Sequence, residues 1–222
     1  MGKNIIEIKS IFGEILFQLE KENNSIKETL LEAIKQKIDL KEVDLSNTDL
    51  NFINFNSVDF SYADFNHSSF NHSNFNSVNF IGAKLNYTSF ISTTFNSVNF
   101  NKADLIFANF DYSDIRNTNF DNVNLNFASF NFTNFNDTNI SNANISNANL
   151  NSSTTNKRYV QIGCIGSQKR LTTYCFDDDK IWCGCFTGTL NEFEIKVKKT
   201  HVNNPQYLKE YLEFINYLKK IK

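Results

Sequence analysis

From Leu40 to Leu150 every fifth residue is Phe, Leu or Ile: 23 positions in succession, of which 13 are Phe, 7 Leu and 3 Ile. Two residues before each stands a small or β-branched side chain, from Val43, Thr48, Ile53, Val58 and Ala63 onward to Ala148. A period of five suits neither regular element. Five steps turn an α-helix through about 500° and carry a strand to its opposite face. A chain that must bury the same two positions in every five therefore has to turn a corner at each repeat.

A second period lies over the first. NSVDF at 56–60 returns as NSVNF at 76–80 and again at 96–100, a spacing of 20. The chain regains its own phase after four pentapeptides, so residues 20 apart are expected to stack. The 36 Asn would read as low complexity if the apolar positions between them were not so regular.

Four of the pentapeptides, SYADF (61–65), NKADL (101–105), SNANI (141–145) and SNANL (146–150), carry an Ala-Asp/Asn-large core. In this the chain resembles the pentapeptide-repeat family and its A(D/N)LXX pattern. The resemblance implies a mainly β fold, a quadrilateral β-solenoid of about six coils, with the large central residue and the small residue two before it pointing inward. At ~4.8 Å per coil the rod is roughly 28 Å long. Each coil buries its apolar positions only against its neighbours, so both ends need caps.

Three segments are expected: an N-terminal ββα cap at 1–37, the solenoid at 38–155, and a small C-terminal βββαα module at 156–222. In the first, two strands flank Gly13, and Ser25 with Glu28 forms a capping box that opens a helix to about Lys37. In the last, strands are expected at 158–166, 170–176 and 180–186. Helices follow near 190–200 and 205–221, the first opened by Thr189 with Glu192 and the second by Asn204-Pro205. Both flanking segments are similar to those beside pentapeptide repeats in phage and prophage proteins.

The formal net charge of −2 is unevenly divided. Residues 1–37 are neutral, 38–155 carry −7 (4 basic, 11 acidic) and 156–222 carry +5 (12 basic, 7 acidic). No stretch approaches the roughly 18 apolar residues of a membrane span, so a cytoplasmic protein is expected. Cys164, Cys175, Cys183 and Cys185 all follow the repeats, and in that compartment they are expected as thiols.

The 20-residue phase sorts the outward positions into columns. One reads His67, Tyr87, Phe107, Phe127; its neighbour reads Phe52, His72, Ser92, Tyr112, Phe132; a third, Asn56, Asn76, Asn96, Arg116, Asn136, is a polar ladder. The eight aromatic positions form a stripe outside the solenoid, a candidate partner-binding surface. The structural alternative is that the C-terminal module folds back over it.

Other chemistry is sparse. The turn holding Ser167, Lys169 and Arg170, with Thr172 and Tyr174 beyond it, combines hydroxyls and cations that suit a small anionic ligand, although a solvated hairpin accounts for it as well. Cys185 and His201 are the only offer toward nucleophilic catalysis. Cys183 and Cys185, one residue apart, would share a strand face and pack as small hydrophobes. Paired CxxC spacing is missing, so neither a metal nor a cofactor is expected.

The resemblance also raises a function, mimicry of double-stranded DNA by an acidic rod that occupies a gyrase-like enzyme. DNA of this length carries about 16 charges at one per ~1.7 Å, whereas the repeats net −7 and hold no acid between Asp64 and Asp104. Direct nucleic-acid binding is equally ill-served by so few basic residues. The leading expectation is therefore a non-enzymatic binding or sequestering protein of phage or prophage origin. It would recognise a host protein through the stripe and the C-terminal module, with self-association through the stripe as a variant. The alternatives are a decoy for an anionic signalling nucleotide, the DNA mimic, and an enzyme in the C-terminal module.

Overall fold

The computed structural model describes residues 3–140, 142–166 and 170–222, except for the side chains at 163, 164 and 170. The five-residue period becomes a square coil. Parallel bridges join residues 20 apart from Asp44↔Asp64 through Asp104↔Asn124 to Asn134↔Thr154. On one side of the square they lengthen into strands β4 (Asn54–Asn56), β5 (Asn74–Asn76) and β6 (Thr94–Asn96).

The corners explain the composition. In most repeats the carbonyl of the central residue accepts the N–H three residues on, as Ser68 donates to Phe65 and Ser113 to Phe110, each at 3.1 Å. The residue before that donor is then forced to positive φ: 61° at both His67 and Tyr112. The residue ahead of the centre is usually Asn or Asp, because its side-chain oxygen accepts the N–H two residues on. Asp44 to Ser46, Asp64 to Asn66, Asn99 to Asn101 and Asn119 to Asp121 all do so at 3.0 Å. Exposed amides also ladder between coils, Asn96 to Asn76 and Asn76 to Asn56, each at 3.1 Å.

Inside, the central residues stack in columns. Phe70, Phe90, Phe110 and Phe130 succeed one another at 5.4, 4.9 and 4.9 Å with near-parallel rings, and rings of adjacent columns meet edge to face, as Phe60 meets Phe65. Offset and edge contacts of this kind add to the area each ring buries.

Both ends are closed. β1 (Lys3–Ser10) and β2 (Ile15–Glu22) form a hairpin, and β1 pairs with the first coil at β3 (Val43–Asp44). α1 (Ile26–Lys35) inserts Leu30 and Ala33 into the solenoid core. Ser25 caps α1 by accepting from the Glu28 N–H, but the reciprocal bond is not made; Glu28 instead pairs with Lys21 at 3.1 Å.

At the far end an antiparallel sheet runs β10-β9-β8-β7, from β7 (Tyr159–Ile165), β8 (Arg170–Cys175), β9 (Lys180–Cys183) and β10 (Phe186–Gly188). The expected third strand is thus two. Gly184 at φ +60° turns the chain, and Cys183 pairs back on Phe186, so Cys183 and Cys185 do not share a face. α2 (Leu190–Thr200) opens with the complete Thr189/Glu192 capping box, and α3 (Pro205–Ile221) opens with Asn204 accepting from Tyr207 N–H ahead of Pro205. The two helices pack on the sheet through Phe193, Val197, Tyr211, Phe214 and Leu218.

This C-terminal module sits on the last coil, not on the stripe. Trp182 and Cys175 complete the solenoid core, and the Trp182 indole N–H donates to the Ala143 carbonyl at 2.8 Å. Gln161 donates to Ala148 O at 2.6 Å and accepts from Leu150 N–H at 3.2 Å. No helix among the described residues is long and apolar enough to cross a membrane.

Candidate functional site

A left-handed corner suits Gly, Asn and Asp, and an ordinary L side chain there costs about 1–2 kcal/mol. The corner column Ser57, Ser77, Ser97, Asn117, Asp137 carries only short polar side chains, and its last two members meet that preference. Two neighbouring columns carry large rings instead. Tyr87, Phe107 and Phe127 follow His67 at φ 58–61°, stacked at 4.8, 5.0 and 4.9 Å with interplanar angles of 5°, 12° and 6°. In the other column Phe52 stacks on His72 at 5.1 Å and Tyr112 on Phe132 at 5.2 Å, with Ser92 between the two pairs.

These two corners border one side of the square. Its mid-line is the half-buried column Ser69, Ser89, Asn109, Ser129, whose short side chains form a floor between two aromatic rims. The floor's hydroxyls are already engaged: Ser69 donates to Asn51, Ser89 to Asn71, and Ser129 to Asp111. The rims stay open, with exposure running from 38% at Phe127 to 71% at Phe52, so the module leaves the stripe uncovered. Tyr62, 55% exposed, is a further outward ring but stands at a third corner, off this side. Its phase marked it, but its column (Glu42, Tyr62, Gly82, Lys102) is not otherwise aromatic.

The anion-binding candidates fare differently. Ser167 and Lys169 lie outside the described residues, as does the side chain of Arg170. Thr172 and Tyr174 are fully buried, because alternation along β8 turns them toward the packed helices. The Thr172 hydroxyl bonds to Cys183 Sγ at 3.1 Å, and Tyr174 donates to Asp179 at 2.7 Å. Burial and the Asp179 contact push the Tyr174 phenol up. Neither side chain is open to a ligand.

Nor do the catalytic candidates meet. Cys185 is exposed in the β9–β10 turn, whereas His201 caps the C-terminus of α2 with its ring on Tyr211 at 5.2 Å. Cys175 and Cys183 are raised in pKa by burial, the reverse of an activated thiol. Among the described residues no cluster of His, Cys, Asp or Glu has metal-ligand geometry.

One cavity, of about 690 Å³, lies between the last coil and the module, lined by Phe135, Ile140, Leu150, Tyr159, Phe176 and Ile221 among others. Its polar walls are engaged, Lys157 with Asp178 at 2.7 Å and Gln161 with the last coil. It reads as incomplete packing beneath the cap.

Two family models match the repeats. A family model described as a pentapeptide repeat region matches residues 53–130, and a second, pentapeptide repeats in eight copies, matches residues 118–154. No curated protein matches the chain. Among solved structures it is similar to the pentapeptide repeat protein Rfr23 from the cyanobacterium Cyanothece 51142, at 14% identity over 60% of this chain and 96% of that one, with a TM-score of 0.47. HetL from Nostoc sp. strain PCC 7120, a pentapeptide repeat protein involved in heterocyst differentiation regulation, is 15% identical over 57% and 84%, with a TM-score of 0.36. QnrB1, a plasmid-mediated fluoroquinolone resistance protein, is 20% identical over 50% and 58%, with a TM-score of 0.36. The repeat segment of this chain, residues 53–154, belongs to the pentapeptide-repeat family.

Proposed function

We propose that this is a non-enzymatic binding protein that captures a host protein on the aromatic-rimmed side of its solenoid. The observation that carries this reading is the conformation of the rims. Aromatic residues occupy corners where Gly, Asn or Asp would relieve the backbone, and the Phe and Tyr among them stay 38–71% exposed. A run of exposed rings held in a strained backbone conformation is accounted for by recognition.

The DNA-mimic alternative is weaker. Of the acids on the solenoid, Asp59, Asp64 and Asp114 are paired with Lys41, Lys84 and Arg116 at 3.6, 3.7 and 2.6 Å, which places the basic residues already counted in the −7 directly on the acids and leaves the field short of a duplex's. Site-specific photocrosslinking separates the two. A crosslinker at Phe107 should trap a protein partner that one at Asn76, on the polar ladder, does not; equal trapping from both positions refutes the reading.

A further inference from the structure

The interruption at Ser92 has a definite shape. Rings in both columns repeat every 4.8–5.2 Å. With a serine in one place, His72 and Tyr112 face each other two coils apart, about 10 Å at the coil repeat. A single ring placed midway would lie about 5 Å from each, the spacing the protein uses elsewhere. Because each flanking ring is nearly parallel to its own partner, at 11° and 6°, both present flat faces to the gap. Exposure agrees: Phe107, covered on both faces, is 44% exposed, whereas Tyr112 in the same coil is 61% exposed.

We propose that the gap at Ser92 is a slot for one aromatic side chain of the partner, carried on a segment with basic residues beside that ring. This rests on the docking role of the aromatic side. The choice of a neutral ring follows from charge. The residues around the slot, Asn71, Ser89, Ile91, Ser92 and Thr94, carry none, and the nearby Asp111 carboxylate is turned to the next coil, where it accepts from Ser129 and the Asn131 N–H, so a charged group inside the slot would lose water without a close counter-ion. Basic neighbours follow from the wider field: Asp49 and Asp111 stand on the same side of the square, and residues 38–155 net −7.

The test uses the full chain and the capped peptide Lys-Lys-Trp-Lys-Lys, followed by NMR. An indole between two ring faces moves upfield, and the shift should saturate. Ser92→Phe fills the slot with a ring of its own and should weaken binding at least about tenfold, as should Leu in place of the peptide's Trp. Ser97→Phe, at the polar corner, should leave binding unchanged. Absence of a saturable upfield shift, or unaltered affinity in Ser92→Phe, overturns the slot. If Ser92→Phe binds normally while Tyr87→Asn/Phe107→Asn does not, the slot fails and the docking side stands; if neither variant changes binding, both fail. Equal binding of Glu-Glu-Trp-Glu-Glu refutes the basic flanks.

Discussion

Phe107 and Phe110 are three residues apart, yet should answer opposite questions. Phe110 is fully buried and stacked on Phe90 and Phe130, each at 4.9 Å, so Phe110→Ala should cost about 3–5 kcal/mol. Phe107 is 44% exposed at φ 58° and touches Tyr87 and Phe127. Phe107→Asn loses two stacking contacts of about 0.5 kcal/mol each and about 1–2 kcal/mol of partly buried ring area, and regains about 1 kcal/mol of backbone strain, for a net loss of about 1–2 kcal/mol. Urea denaturation of both variants, read at fixed slope, measures this. A Phe107→Asn loss matching that of Phe110→Ala would make the rim a structural element and remove the ground for assigning it to recognition.

Further outcomes follow from the ends of the rod and its corners. Trp182→Ala should unplug the last coil and cost about 3–5 kcal/mol, visible as earlier thermal unfolding, while Trp182→Phe should lose only the bond to Ala143 and part of the packing. Gly82 sits at φ +65° beneath the Tyr62 ring, where an added Cβ would lie 2.6 Å from Tyr62 Cε1; Gly82→Ala should cost about 1 kcal/mol and change the Tyr62 ring signals in NMR. Hydrogen bonds from Lys198 and Lys219 hold Glu194 below its ordinary pKa of 4.5. A depressed folded-state value means that this stability is present above the ordinary pKa and fades as pH falls through the folded one. The melting temperature should therefore drop as pH falls below about 4.5, and Glu194→Gln should shrink the drop.

The solenoid was legible because its forces are local and repeated. A central Phe or Leu can be buried every five residues only by turning corners, and the 20-residue recurrence of NSVNF fixes four corners per coil. The helices of the module were legible through Thr189, Glu192, Asn204 and Pro205, whose side chains do their work within one turn. The break after Cys183 was missed because Gly184 lies inside an apolar run that reads as one strand. Thr172 and Tyr174 were misread because polar groups imply exposure unless a partner is visible, and their partners, Cys183 and Asp179, depend on strand pairing. How the module attaches through Trp182 and Gln161 is a long-range matter. Its one trace in the sequence is a lone Trp in a chain with 23 Phe. The aromatic columns were readable from phase alone; that they stay uncovered was not, since this depends on where the module comes to rest.

The most direct test compares a folded rim variant with wild type for binding of the protein trapped by the crosslinker at Phe107. Tyr87→Asn/Phe107→Asn should remain folded and lose that partner, whereas Asn56→Ala/Asn76→Ala should keep it. Full retention by the rim variant, or loss from the ladder variant alone, would contradict the account.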